Sequence, residues 1–216
     1  MSKHNTLPLF PLQSVLFPDG YLPLRIFEVR YLDMIARCQK NGEPFGVVSL
    51  IEGSEVRQRD AAQPGEGFAN ERFHPVGTLA EIHHFDRPQP GLIQVRCRGT
   101  QRFRLIGSER LPHGLWVGHA EMLEADAVVS VPDDLASAAK LLQGLLHNLE
   151  QGAAIDDLPV QPPYRWDDSG WLANRWCELL PLPGGERQRL MQLDNPLLRL
   201  ELVADQLDRL GFQPSA

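Results

Sequence analysis

The sequence lacks the motifs that mark a nucleotide-driven motor or a common hydrolase. It contains three lysines, Lys3, Lys40 and Lys140, and none of them follows a glycine. A phosphate-binding P-loop needs a Gly-Lys pair, because its backbone amides hold the phosphates while the lysine reaches them. The hydrolase motifs G-x-S-x-G and H-E-x-x-H are absent as well. The sequence therefore predicts a protein that is not an enzyme and that binds no cofactor.

Paired cysteines and long apolar runs are missing too. Cys38, Cys97 and Cys177 lie far apart and form no C-x-x-C pair, so we expect buried, reduced thiols instead of disulfides or a zinc ribbon. The N-terminus has no basic segment followed by an apolar leader. No run approaches the roughly 20 apolar residues of a membrane helix. These absences predict a soluble, cytoplasmic protein without a membrane partner.

Excess positive charge is also lacking. The formal net charge is -7, and the isoelectric point is about 5.5. Such a field repels nucleic acid and anionic lipid, so nucleic acid is a disfavoured partner. His83, His84 and Asp86 come nearest to a metal site, but adjacent strand residues point to opposite faces, and we predict no metal.

What the chain does contain first is a proline-rich, strongly apolar N-terminal segment. Its prolines forbid a continuous helix, so residues 7–10 and 21–26 should be short extended segments joined by a turn at 17–20. Leu22, Leu24 and Ile26 alternate with other side chains, as in a strand with one buried face. The prolines are Pro8, Pro11, Pro18 and Pro23.

The apolar period then changes from that of a strand to that of a helix. The spacing predicts a helix over residues 28–39, ended by Asn41-Gly42. Its apolar face consists of Tyr31, Met34, Ile35 and Cys38. Further strands are predicted at 45–51, 77–83, 92–97, 102–106 and 115–123, and an exposed loop at 54–72.

Beyond residue 131 the composition becomes helical. A helix over 133–150, capped by an aspartate, is followed by three shorter amphipathic sets. These sets lie at 172–180, 186–193 and 200–210. The residues therefore predict an α+β protein with a β-rich part at 1–125 and a helical part at 130–212.

Two groups of residues are candidates for binding. In the first, the proline-rich segment is an edge of the sheet, where Glu28 pairs with Arg25 or Arg30 as strand becomes helix. The segment is then either core plus turn or a groove for an extended polypeptide, and the sequence leaves both open. The candidate residues of this group are Leu22, Leu24, Arg25, Phe27, Glu28 and Arg30.

The second group follows from a predicted hairpin. A three-residue loop at 99–101 pairs Arg98 with Arg102 and Arg96 with Arg104, which collects four arginines on one face. Phe103 falls on the opposite, core face. Carboxylates and solvent could neutralise the arginines, or the face could dock an acidic partner segment. The candidate residues here are Arg98, Arg102, Phe103 and Arg104.

Several motifs resemble one family along nearly the whole chain. Leu7-Pro8-Leu9-Phe10-Pro11-Leu12, Leu22-Pro23-Leu24-Arg25-Ile26-Phe27-Glu28, Phe45-Gly46-Val47-Val48 and Gly99-Thr100-Gln101-Arg102-Phe103-Arg104-Leu105 are similar to the amino-terminal substrate-binding domain of the bacterial ATP-dependent protease Lon. The resemblance implies a PUA-like β pseudo-barrel with one early helix, followed by a C-terminal α-helical bundle. It also implies recognition of protein substrates.

The resemblance and the missing motifs together predict a noncatalytic recognition module, the Lon substrate-binding domain standing alone without ATPase and protease domains. Its partner is expected to be an unfolded or extended polypeptide, or another protein. A small-molecule or modified-base pocket in the barrel remains the alternative, and RNA binding is less favoured because of the charge. The oligomeric state stays open, a weak homodimer included.

Overall fold

Strands dominate the first of the two units into which the structure divides the chain, Met1–Glu124 and Ala125–Ala216. The computed structural model describes residues 5–53, 71–154 and 158–212. In the described part of the first unit, seven strands and one helix follow in the order β1 Asn5–Leu12, β2 Tyr21–Ile26, α1 Val29–Asn41, β3 Phe45–Glu52, β4 Arg72–Phe73, β5 Val76–Gln89, β6 Leu92–Arg110 and β7 Trp116–Met122.

The sheet of this unit closes on itself. β1 pairs antiparallel with β7 along its first half and parallel with β3 along its second half. The order β1-β7-β6-β5-β3 therefore returns to β1, while β4 pairs with β3 and β2 pairs with β6. A closed sheet removes most exposed strand edges. The predicted α+β fold, a β pseudo-barrel with one early helix, is confirmed.

The proline-rich segment forms two strands in different positions. β1 is not an edge strand, because it has partners on both sides, and the prediction of an edge is wrong for it. Pro8 lies where β1 pairs only with β7 and Pro11 where it pairs only with β3, so each proline has a partner strand on one side only. β2 pairs with β6 alone among the described strands, and there the edge prediction holds.

The turn and the helix between these strands form as predicted, with one difference. Gly20 N donates to Phe17 O at 3.0 Å. The left-handed residue is Asp19, with φ 62°, instead of the glycine, as aspartate tolerates this conformation in turns. α1 buries its predicted apolar face and ends at Gly42 with φ 66°.

The predicted hairpin at 99–101 is wrong. β6 runs through it as one strand of 19 residues. Gly99 is not a turn residue: a Cβ placed on it would lie 2.2 Å from the backbone oxygen of Phe17, so glycine lets the chain at 16–17 cross closely over the strand. A bulge opposite residues 78–80 then shifts the register of β6 against β5, which separates the arginines.

The loop predicted at 54–72 lies outside the described residues as far as residue 70. Its last residue, Arg72, belongs to β4, where it faces Glu52 of β3. All three cysteines are buried and free. Burial raises the pKa of both Cys97 and Cys177 to about 12, so both thiols stay protonated at neutral pH.

The second unit is helical in its described residues. A short 3-10 turn at Asp133–Leu135 leads into α2 Ala136–Glu150, followed by α3 Ser169–Leu179, α4 Gly184–Gln192 and α5 Pro196–Arg209. The aspartate cap predicted for the first helix is absent, since Pro132 and Leu135 occupy the cap positions. At the start of α5, the side chain of Asn195 caps the helix and accepts hydrogen bonds from Leu197 N and Leu198 N.

Two buried features hold this unit together. Trp176 Nε1 donates to the carbonyl of Ala138 at 3.0 Å, which ties α3 to α2. Arg199 of α5 donates to Asn174 Oδ1 at 2.9 Å and to Leu190 O at 3.0 Å, and it pairs with Asp126. Tryptophan and arginine thus serve as core residues here. Within the described residues, no helix of either unit is long and apolar enough to span a membrane.

Candidate functional site

A pocket of about 220 Å³ opens where β1 and β2 end and α1 begins. The rings of Phe10 and Tyr31, which stack at 4.2 Å between centroids, belong to its lining. Leu24 and Ile26 contribute from β2, and the junction before α1 contributes Phe27. The volume is below the roughly 300 Å³ typical of small-molecule pockets. Arg25 and Glu28 add charged groups to its lining.

Two apolar side chains near the start of α1 are strongly exposed, and one of them, Phe27, lines this pocket. Phe27 is 57% exposed and Val29 is 75% exposed. The sequence had indicated Phe27, but it had not indicated Val29. Val29 lies two residues before Tyr31 in α1, which is about 200° around the helix from the buried face. An apolar residue on the polar side of a helix was the sequence signal that could have indicated an exposed Val29.

The outer edge of β2, which pairs with β6 alone among the described strands, contributes backbone groups to the same surface. Gly99 N donates to Gly20 O at 2.8 Å, and the register continues without a shift. By the alternation of antiparallel ladders, the backbone of Leu22 and Leu24 therefore faces β6, while that of Tyr21, Pro23 and Arg25 faces away. Pro23 sits in the middle of this outward edge and removes its central donor.

Replacing Pro23 with threonine should make this edge adhesive. The substitution supplies the missing N–H, so that two copies can pair through β2. We expect self-association that rises with concentration, measured by light scattering after size-exclusion chromatography. The neighbouring substitution Arg25→Thr, which adds no donor, is the control. Equal association of both variants would show that side-chain polarity, and not the proline, guards the edge.

Arg30, predicted as a binding residue, is instead part of a buried cluster. Its Nε lies 3.1 Å from a carboxylate oxygen of Glu28, and its Nη2 lies 3.1 Å from Glu71. Its Nη1 donates to Gly114 O at 3.0 Å, and Trp116 Nε1 donates to Glu71 at 2.5 Å. The predicted pairing of Glu28 thus involves Arg30, and its further partners were not visible in the sequence. Burial lowers the pKa of Arg30, but Tyr31, Glu71 and Glu28 outweigh this effect and leave it raised.

The other basic candidates do not share one face. Arg98 pairs with Asp19 at 2.7 Å, and Arg102 is buried, opposite Thr78 of β5. Arg104 is exposed and lies opposite Glu121 of β7. The predicted pairing of Arg98 with Arg102 and of Arg96 with Arg104 is therefore wrong, because it required a hairpin.

Phe103, from the same candidate group, is fully buried. Its ring lies where a Cβ on Gly46 or Gly77 would fall, 2.8 Å and 2.7 Å from its Cζ. The small residues at these two positions make room for the ring. Phe103 is thus a core residue in this structure, as its predicted place on the core face required.

A second, wider pocket of about 490 Å³ lies between α1 and the turn that joins β5 to β6. Its lining contains Asp33 and Arg87 as charged groups, with Leu32, Pro90 and Leu92 among the apolar ones. Among the described residues, no group of three or more His, Cys, Asp or Glu side chains is placed to hold a metal ion.

The sequence profile of the ATP-dependent protease La (LON) substrate-binding domain matches residues 6–209. The chain belongs to this Lon substrate-binding domain family. Lon protease 2 of Desulfotalea psychrophila is 24% identical over 204 residues, and Lon protease 2 of Myxococcus xanthus is 26% identical over 214 residues. The alignments cover 94% and 95% of this chain, but only 25% and 24% of those proteases. The chain thus spans about a quarter of the length of these curated relatives.

Solved structures of Lon N-terminal domains have the same fold. The Lon N-terminal domain protein from Xanthomonas campestris is 32% identical, with a TM-score of 0.71 over 93% of this chain and 98% of that one. The N-terminal domain of the Mycobacterium avium complex Lon protease, at 20% identity, has a TM-score of 0.59 over 94% and 98% of the two chains. The family and the fold are consistent with a role of this Lon-type domain in substrate recognition.

Proposed function

We propose that this Lon-type domain binds unfolded or extended polypeptide through the surface formed by β2, the 220 Å³ pocket, Phe27 and Val29, here called the β2 surface. The observation that carries the proposal is the exposed ring of Phe27 in the lining of the pocket, with Val29 exposed two residues further along the chain. Monomeric proteins expose single apolar residues routinely, but an apolar cluster beside a pocket is typical of a binding surface.

The chemistry of the β2 surface favours side-chain recognition over strand addition. The outward edge of β2 offers few backbone groups, since Pro23 lacks a donor. Leu24, Phe27 and Val29 instead offer apolar contact area, which selects for exposed hydrophobic residues and not for one defined sequence. Unfolded chains expose such residues, whereas folded proteins bury most of them. The module would thereby distinguish unfolded from folded partners without any catalytic group.

The double substitution Phe27→Ser and Val29→Ser tests the proposal. Each substitution should remove about 1 kcal/mol or more of binding free energy, because the serine buries less apolar surface in the complex. Affinity for an unfolded chain should therefore fall about tenfold or more. Reduced, carboxymethylated α-lactalbumin serves as the unfolded probe and native α-lactalbumin as the folded one. Fluorescence anisotropy of the labelled probes measures both affinities.

The matched control is Ile106→Ser. Ile106 is 50% exposed, in β6 of the same unit, but it does not line the pocket. It should leave affinity unchanged within about twofold, and all variants should keep their melting temperature. If Ile106→Ser weakens binding as much as the double substitution does, the apolar surface acts without a defined site, and the proposal fails.

A second candidate function is the binding of a small molecule in the 490 Å³ pocket. Its volume lies within the range of small-molecule pockets, and Asp33 and Arg87 could orient a polar ligand there. Phe27 and Val29 do not line it. The double substitution would therefore leave such a ligand bound.

A further inference from the structure

The acidic excess of the protein is confined to one of its units. Residues 1–124 contain 14 of the 21 basic and 14 of the 28 acidic side chains, and so carry no net charge. Residues 125–216 contain the other 7 basic and 14 acidic side chains, and therefore the whole net charge of -7. A field of one sign steers partners of the opposite sign towards it.

Part of this charge lines a groove of mixed polar and apolar character, here called the α2–α5 groove. The groove has a volume of about 230 Å³ and is lined by the start of α2, the C-terminal half of α5 and Phe212. Leu135 and Leu141 contribute apolar lining, and Phe212 is 40% exposed. None of the described residues that line it is basic. Its four carboxylates, all exposed, belong to Asp134, Glu201, Asp205 and Asp208.

The stability of the helices does not account for the carboxylates of α5. Glu201, Asp205 and Asp208 are spaced i, i+4 and i+7, so they share one helix face, where like charges repel. Asp205 and Asp208 also lie near the C-terminus of α5, where the helix dipole disfavours negative charge. By contrast, Asp134 lies in the first turn before α2, where the dipole favours it.

The nearest base on α5 is Arg209, four residues after Asp205. Hydrogen bonding from Arg189 lowers the pKa of Glu186 of α4, and the charge of Arg209 contributes to the same shift. The charge of Arg209 is therefore shared with Glu186. Within the described residues, no ion pair joins the three carboxylates of α5 to a basic side chain. A bound cationic group would turn an unfavourable arrangement into a favourable one.

We propose that the α2–α5 groove docks a cationic amphipathic segment of a partner polypeptide. Apolar side chains of the segment contact Leu135 and Phe212, while its lysines or arginines pair with the carboxylates of α5. A groove between two helices suits an amphipathic helix that inserts its apolar face. A second copy of this chain fits poorly, because both copies would bring acidic helical units together. The proposal does not depend on the β2 surface, which belongs to the other unit.

The test uses a labelled peptide of leucines and lysines in amphipathic helical order. Two counterparts accompany it: in one, every lysine is glutamate, and in the other, every leucine is serine. Anisotropy titrations with the full chain should show binding of the first peptide only, weakened by salt. The double substitution Asp205→Asn and Asp208→Asn should weaken it about fivefold or more. The melting temperature should stay the same or rise, because repulsion is removed.

The control has the same change in net charge at another place in the unit. Glu150→Gln with Asp167→Asn alters two acids that do not line the groove, and glutamine can still accept the hydrogen bond of Tyr164 that Glu150 accepts at 3.0 Å. It should change affinity by less than about twofold. Equal weakening by the two double variants overturns the proposal in favour of a diffuse field. So does equal binding of the serine peptide, or a dimer of this chain that Asp205→Asn and Asp208→Asn dissociate.

Discussion

Replacing Arg30 with methionine is expected to destabilise the protein by about 3–5 kcal/mol. The guanidinium is 4% exposed and Glu71 is 7% exposed, so the substitution leaves a carboxylate buried without its cation. Gly114 O loses its donor in the same step. Removing one partner of a buried ion pair costs far more than the pair itself contributes, because the other charge stays desolvated. Guanidinium unfolding followed by circular dichroism measures the loss.

A double-mutant cycle separates this cause from lost packing. Adding Glu71→Gln to Arg30→Met removes the orphaned charge, while the glutamine oxygen can still accept from Trp116 Nε1. The double variant should recover a large part of the loss. A cost below about 1 kcal/mol for Arg30→Met would show that Glu71 finds water in place of the arginine, and the cluster would then contribute little.

The same variant separates structure from recognition. Arg30 was a candidate binding residue on the strength of its place after β2, but its donors are used inside the protein. We therefore expect that Arg30→Met lowers the folded fraction, while each folded molecule binds unfolded polypeptide as before. Loss of affinity per folded molecule would return Arg30 to the β2 surface.

Local signals explain most of what could be predicted from the sequence. The C-terminus of α1 was predicted within two residues of its observed position. The signals for it are local in sequence: the spacing of the apolar face and the glycine at position 42. Pro196 and Gly211 likewise bracket α5, at its first position and just past its end. β2 was predicted with its observed bounds, since Leu22, Leu24 and Ile26 alternate with other side chains along it.

The predictions that were wrong depend on which distant segments of the chain come into contact. Arg30 finds Glu71 and Gly114 at separations of 41 and 84 residues, and no local pattern encodes such a choice. β1 changes partner from β7 to β3 midway, so its prolines did not mark an edge. Val29 was missed as a candidate residue because one apolar residue on the polar side of a helix is a weak signal beside the apolar face that follows it. For Arg30 and β1, contact with a distant segment, and not local propensity, decided the outcome.

Gly99 is the clearest position whose role depends on a distant segment. Replacing it with alanine is expected to lower the free energy of unfolding by about 2–3 kcal/mol. In the hairpin predicted from the sequence, the glycine would serve a turn, and alanine would cost about 1 kcal/mol at a position with positive φ. In the structure, Gly99 is not among the residues with positive φ. Its added methyl group would lie 2.2 Å from Phe17 O, a backbone atom that cannot move alone. The segment at residues 16–17 would have to lift from β6.

Gly107→Ala in the same strand is the matched control. The nearest atom to its added Cβ is His119 Cδ2, at 3.9 Å, so this variant should be neutral or slightly stabilising, because alanine loses less backbone entropy on folding. Chemical unfolding measures both variants, and hydrogen exchange should show lost protection of the amides of residues 19 and 99 only for Gly99→Ala, since Asp19 N donates to Gly99 O and Gly99 N donates to Gly20 O, both at 2.8 Å. Equal, small costs at both positions would mean that the crossing at 16–17 yields easily. The fold would then not require glycine at position 99.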